Sequence, residues 1–225
     1  QDARLVWQES RSSSSARPGH QESLMRTVRP ESADEERFAD LPYLKLRINP
    51  YIAPALNAVI SRARKTIDAK QYLMDHSQGF SLLEQSIQSY GTKIRLLHDQ
   101  GMFSKSSCVQ ENDRLRDLAE IAQTYNRSSC LEFRTLKPPA GGLRCQHSKT
   151  WIIDDQYYVG GSANFTGASE DNFEENIFTR DQGVIADAKA AFEAAWSQGK
   201  VVPLDQLLAL ESRRAASRSQ SRARA

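Results

Sequence analysis

No stretch of the 225 residues stays apolar for the roughly 20 positions that a helix needs to cross a bilayer, so the chain as given holds no transmembrane segment. Cysteine is scarce. Cys108, Cys130 and Cys145 are the only three, and none stands in a CxxC or Cys/His ligand spacing, which argues against a zinc site. No metal and no other cofactor is expected. A Cys108–Cys130 disulfide is the one pairing worth weighing, but an odd count leaves a thiol over, and nothing else points to a disulfide-built fold. Charge of one sign is lacking as well: between residues 41 and 210 there are 19 basic and 19 acidic side chains. A basic surface spread over the whole domain, of the sort that grips a phosphate polymer, is therefore excluded. The first residue is Gln1, not methionine. That suits a leader or anchor removed ahead of it, and an exported (periplasmic or secreted) or organelle-directed protein is the expectation.

What is present divides the chain in three. Residues 1–40 are rich in Ser, Arg and Glu, with few large apolar residues and an acidic close from Glu31 to Asp40, and they read as a flexible N-terminal arm. Residues 212–225 hold five arginines and no acid. They form an Arg/Ser-rich tail, either a frayed end or an electrostatic tether for phosphate polymers or anionic lipid. The stretch between, residues 41–211, is long enough for one domain with a core.

Within it the periodicities alternate. Residues 51–64 place Ile52, Leu56, Val59 and Ile60 at helical spacing, and the following "KTIDAKQYLM" reads as a strand. "FSLLEQSIQSYG" reads as a helix closed by Gly91, and "TKIRLLHD" as a buried strand. Residues 111–126 are helical in pattern, "LEFRTLK" is strand-like, and Pro138 to Gly142 stops it. A last amphipathic helix, about residues 183–198, aligns Val184, Ala188, Phe192 and Trp196. Strands alternating with helices predict an α/β domain.

Between these elements lies "HSKTWIIDDQYYVGGSAN", His147 to Asn164. It reads as a hairpin turning at Asp154-Asp155-Gln156, with His147 and Lys149 on one face of the first arm and Ser162 and Asn164 on one face of the second. Asp154 has the opposite parity, so its expected role is to support the turn. An imidazole serves as nucleophile or general acid near neutral pH, and a lysine, an amide and a hydroxyl are donors for a developing oxyanion. The group suits phosphoryl chemistry. An isolated histidine on an edge hairpin would more simply be a structural cap, but the spacing goes further.

His147, Lys149, Asp154, Gly161, Ser162 and Asn164 satisfy H-x-K-x(4)-D-x(6)-G-S-x-N, and chance gives six such matches at on the order of 10⁻⁸ per starting point. The pattern resembles the HKD signature of the phospholipase D superfamily, and "FTGASEDNFEEN" after it is similar to the small single-motif branch of phosphodiesterases and endonucleases. The resemblance implies a mixed β-sheet with helices on both faces over about residues 45–198. It also implies metal-independent phosphodiester hydrolysis in two steps. One histidine attacks phosphorus to form a phosphohistidine, and a second protonates the leaving oxygen and then activates water. His147, Lys149, Asn164, Ser162 and Asp154 carry over onto the motif. A glutamate beyond it orients the histidine, and Glu175 fits that place, with Glu174 as the neighbour that could take it. Two histidines are required, yet His20, His76 and His98 are followed at the second position by Glu, Gln and Gln. The second histidine is therefore expected from a second copy, giving a homodimer with one shared site.

Other candidates are weaker. His98 and Asp99 end a predicted strand, where open α/β sheets bind ligands, though a plain loop serves as well. Arg134, Lys137 and Arg144 precede the motif and could hold flanking phosphates, or stand as solvated surface. Cys145 shares the parity of His147 and reads as a small packed thiol. A nucleic-acid substrate is the leading expectation and a cardiolipin-type phospholipid the alternative. A non-catalytic phosphate-binding module is a third reading.

Overall fold

The computed structural model describes residues 44–137 and 145–210. The predicted N-terminal arm, the Pro138–Gly142 stop, Arg144 and the arginine tail lie outside the described residues. Eight strands form one mixed sheet. In chain order they are β1 (Lys45–Ile48), β2 (Thr66–Gln71), β3 (Lys93–Asp99), β4 (Leu131–Leu136), β5 (Thr150–Ile153), β6 (Tyr157–Gly161), β7 (Glu175–Thr179) and β8 (Lys200–Val202). Their spatial order is β1-β7-β6-β5-β2-β3-β4-β8, with β2, β3 and β4 parallel and every other pairing antiparallel.

Helices cover both faces. On one lie α1 (Ile52–Ile60), α2 (Ser77–Gln85), α3 (Val109–Thr124) and the short α5 (Leu204–Leu208). With Ile67, Leu96, Phe133, Trp151 and Phe178 from the strands they enclose the larger core. The other face takes α4 (Gln182–Gln198), whose Ile185, Phe192 and Trp196 pack on Leu97 and Ile152. The apolar periodicities anticipate α1, α2, α3 and α4, because a helix must turn its stripe toward a sheet to remove it from water. α2 ends in a wider π turn over Ser86–Tyr90 and stops at Gly91, where φ is +66°, as the glycine predicts. Asp181 starts α4 by accepting a hydrogen bond from Val184 N at 2.9 Å.

Charges fasten α4 to its face. Asp68 on β2, 2% exposed, accepts from Arg95 Nε at 2.6 Å and lies 2.8 Å from Lys189 Nζ. Arg95 also reaches Glu193, and Lys189 also reaches Asp155. All three cysteines are free, so the Cys108–Cys130 bridge does not form.

β2, β3 and β4 run side by side toward the end of the sheet where β5 begins and β6 stops, as the registers Lys70↔Thr150 and Thr150↔Gly160 require. This end collects the chemistry, at the carboxyl ends of the parallel strands.

Candidate active site

The hairpin is tighter than the sequence pattern alone conveys. Asp154 and Asp155 sit at φ +54° and +53°, and Gln156 N donates to Ile153 O at 2.9 Å, which makes a two-residue type I′ turn. Asp154 is not part of the reacting end. Its carboxylate accepts from the backbone N–H groups of Arg64, Lys65 and Thr66, each at 2.8 Å, and so ties the turn to the loop between α1 and β2. These contacts are those of a turn support, the role expected of Asp154.

At the opposite, open end His147 is exposed, while Lys149 is only 4% exposed. Both precede β5, so the expectation that they stand on a strand is corrected: residues 145–149 are outside the strand, and Lys149 O accepts one backbone bond, from Gly161 N at 3.3 Å. What brings the two side chains together is a fold-back. Lys149 Nζ lies 2.9 Å from each ring nitrogen of His147 and donates to His147 O at 3.0 Å. Equal distances to both nitrogens mean that the ammonium does not sit on the in-plane lone pair of either one. Burial pushes the Lys149 pKa down, and the charge of Glu174 partly offsets this. The ring of Tyr72, just past β2, meets the His147 ring with centroids 4.9 Å apart, and Lys149 Nζ stands 5.7 Å from the Tyr72 ring centroid. Cys145 is exposed, not packed.

The second arm supplies the other donors. Gly161 is obligatory because a Cβ there would come within 2.1 Å of Glu175 O. Ser162 is locked to the same residue: its N donates to Glu175 O at 3.0 Å and its Oγ accepts from Glu175 N at 3.0 Å, leaving the hydroxyl proton available. Asn164 is held through its neighbours. Ala163 N donates to Asn176 Oδ1 at 3.2 Å, and Phe165 O accepts from Asp75 N and His76 N. Asn164 Oδ1 is buried and has no hydrogen-bond partner among the described residues.

Glu175 meets Ser162 through its backbone, and its side chain is exposed. Glu174 is the carboxylate whose charge acts on Lys149. Of the weaker candidates, Lys137 is exposed just beyond β4. Two are corrected. His98 is fully buried, with Nδ1 2.9 Å from Asp99 O and Nε2 2.5 Å from Glu111 Oε1. Its side chain lies on the core face of β3, in parity with Ile94 and Leu96, so it cannot line a cleft. Arg134 is spent on α4, donating to Trp196 O at 2.9 Å with its guanidinium 4.5 Å from the Trp196 ring centroid. Sequence reasoning missed Tyr72, which it placed inside a longer strand, and Gln146. Asp99 stood beside His98 as a cleft residue but holds Gln146 N at 2.7 Å.

Comparisons with known proteins agree with this architecture. A family model described as "Cardiolipin synthase, PLD-like domain" matches residues 56–196. No curated protein is matched. Among solved structures the chain is similar to NucT from Helicobacter pylori, at 21% identity and a TM-score of 0.57, covering 71% of this chain and 98% of that one. It is similar to Nuc, a phospholipase D family member from Salmonella typhimurium, at 16% identity and a TM-score of 0.57, covering 71% and 97%. It also resembles a phosphatidylserine synthase from Haemophilus influenzae, at 12% identity and a TM-score of 0.58, covering 80% of this chain but 45% of that one. With a family match over more than half its length, on the fold those structures share, the chain belongs to the phospholipase D-like family.

Proposed function

We propose that the protein is a phosphodiesterase that works through a phosphohistidine on His147, with nucleic acid as its substrate. The observation that carries the reading is the exposed imidazole of His147 in contact with the buried ammonium of Lys149, at the same sheet end as Ser162 and Asn164. A ring nitrogen of His147 attacks phosphorus, the N–P bond forms and a P–O bond breaks. Lys149, Asn164 and the Ser162 hydroxyl meet the charge on the non-bridging oxygens. The leaving oxygen needs a proton, and water must then displace the histidine. His147 of a second copy supplies the acid and base, which makes the unit a homodimer with one site on its two-fold axis.

An apolar strip supports that partner. Leu46 on β1 stands opposite Ile177 on β7, in line with Leu44 and Ile48, and these are 38% to 67% exposed. They lie on the face that α4 covers farther in, and the strip ends at the Ile48↔Glu175 pair beside Ser162. Its covering by a second copy removes apolar surface from water at the border of the site.

Nucleic acid is favoured by proportion: the similarity spans nearly the whole of two small proteins named NucT and Nuc, and under half of a phosphatidylserine synthase. A second reading, a phospholipid phosphodiesterase, is favoured by Phe173, whose side chain is fully exposed in the loop before Glu174 and is suited to entering a lipid surface. One experiment separates them: hydrolysis of single-stranded DNA, duplex DNA, RNA, phosphatidylcholine and cardiolipin, all in excess EDTA. Cleavage of nucleic acid that His147→Ala abolishes is the expected result. Turnover of lipid alone selects the second reading, and no turnover of any substrate leaves a phosphate-binding module.

A further inference from the structure

The segment that carries the nucleophile has no strand beside it. From Cys145 to Lys149 the backbone makes no ladder, and the first sheet pair is Thr150 with Lys70 and Gly160. Ahead of the strand, Gly161 N donates to Lys149 O at 3.3 Å, and hydrogen bonds to side chains fix the residues on either side of His147. Asp99 Oδ2 accepts from Gln146 N at 2.7 Å. The Gln146 side chain then brackets the histidine, with Oε1 accepting from Ser148 N at 2.7 Å and Nε2 donating to Ser148 O at 3.3 Å. Residues 146 and 148 are thus both tied, and His147 is held between them.

Asp99 is itself firmly placed. It is 4% exposed, and its second carboxylate oxygen accepts from Met102 N at 3.1 Å. Its carbonyl accepts from Met102 N, Phe103 N and the His98 ring. Beneath it, His98 Nε2 lies 2.5 Å from Glu111 Oε1 at the start of α3. A carboxylate buried at a strand terminus and satisfied by backbone N–H groups is a rigid support, because charge-assisted bonds of this kind are stronger than neutral ones.

We propose that Asp99 is a positioning residue for His147, acting through Gln146, and that His98 with Glu111 holds Asp99 in register. The inference rests on the reading of His147 as nucleophile. Its consequence is specific: loosening Asp99 disturbs the aim of the imidazole at phosphorus and leaves substrate affinity alone.

The test uses Asp99→Ala, Asp99→Asn and Gln146→Ala in the full chain, with kcat and KM on an activated phosphodiester and the NMR resonances of the His147 ring. Asp99→Ala is expected to lower kcat by about tenfold to a hundredfold, since misplacement on the order of 1 Å has that effect, with KM unchanged within about twofold. Asp99→Asn, which keeps one oxygen to accept from Gln146 N, should recover much of the loss. In Asp99→Ala and Gln146→Ala the His147 resonances should shift or broaden while those of Trp196 stay in place. A merely structural role would lower the melting temperature and move neither kcat per folded molecule nor the His147 ring, and that result overturns the proposal. Should Asp99→Ala fail to fold, an unmoved ring in Gln146→Ala overturns it equally. Should the wild type turn over no phosphodiester, the functional reading fails while the ring resonances still decide the positioning.

Discussion

The two ends of the β5–β6 hairpin put the same kinds of polar group to opposite use. At the closed end Asp154 gives its carboxylate to three backbone N–H groups, and Asp155 pairs with Lys189, so both are taken up by the fold. At the open end the His147 ring is exposed and Asn164 Oδ1 is without a partner among the described residues. One motif therefore contains a turn whose carboxylates the fold takes up and an end where an imidazole faces solvent. His98 and His147 repeat the contrast at one end of the sheet: the first is buried and bound to Glu111, the second exposed against Tyr72.

Substitutions at the two ends should separate activity from stability. The largest effect is expected at His147, where His147→Ala removes nucleophile and acid together and abolishes turnover, with little change in melting temperature because the side chain is exposed. Mixing wild-type chains with excess His147→Ala under subunit exchange should lower specific activity per wild-type chain in proportion to the lost wild-type homodimer; a flat line would rule out the shared site. Next come Lys149→Ala and Asn164→Ala, each expected to cost about 3–4 kcal/mol of transition-state stabilisation, or some hundredfold or more in kcat. An effect confined to KM would assign them to ground-state binding instead.

At the closed end the balance reverses. Asp154→Ala strips an acceptor from three N–H groups and should destabilise the protein by roughly 2–3 kcal/mol in urea unfolding, with activity per folded molecule retained. A fully folded but inactive variant would erase the distinction between the two ends.

The smallest effect is in the pH dependence of Lys149. Its folded pKa lies below the ordinary lysine value because the ammonium is desolvated. The unfolded chain therefore binds more protons over the window between the two values. Stability should rise slightly as pH climbs through that window, while activity falls as the ammonium loses its charge. Melting temperature and kcat measured from neutral to alkaline pH should move in opposite directions, and Lys149→Met should lose the stability increment.

Much of this was legible in the residues, and the reasons differ by element. α1, α3, α4 and the central strands show themselves because each buries a continuous stripe or run, and the HKD spacing shows because tight turns leave no freedom in the count between His147 and Asn164. β1, β7 and β8 do not. β1 reads Lys-Leu-Arg-Ile and leaves its apolar residues exposed, and its partner β7 stands about 130 residues later in the chain. β8 has three residues and exists by pairing with β4. Nothing local marks such edges, since strand pairing rewards contacts that are distant in sequence.

The sequence by itself determined the chemistry on offer: one histidine, one lysine, one asparagine and one serine at the mouth of a two-residue turn, with an aspartate at its closed end. That follows from strand parity and turn geometry, which act over a few residues. Only the tertiary structure decided which nearby polar groups serve the site. Asp99 and Tyr72 reach it because β2 and β3 end beside the start of β5, whereas His98 and Arg134, as polar and as near in the chain, are turned to the core and to α4. The physical reason is that a side chain's role depends on which face of the strand is buried and what has already taken its hydrogen bonds, and both are set by packing between segments far apart in sequence.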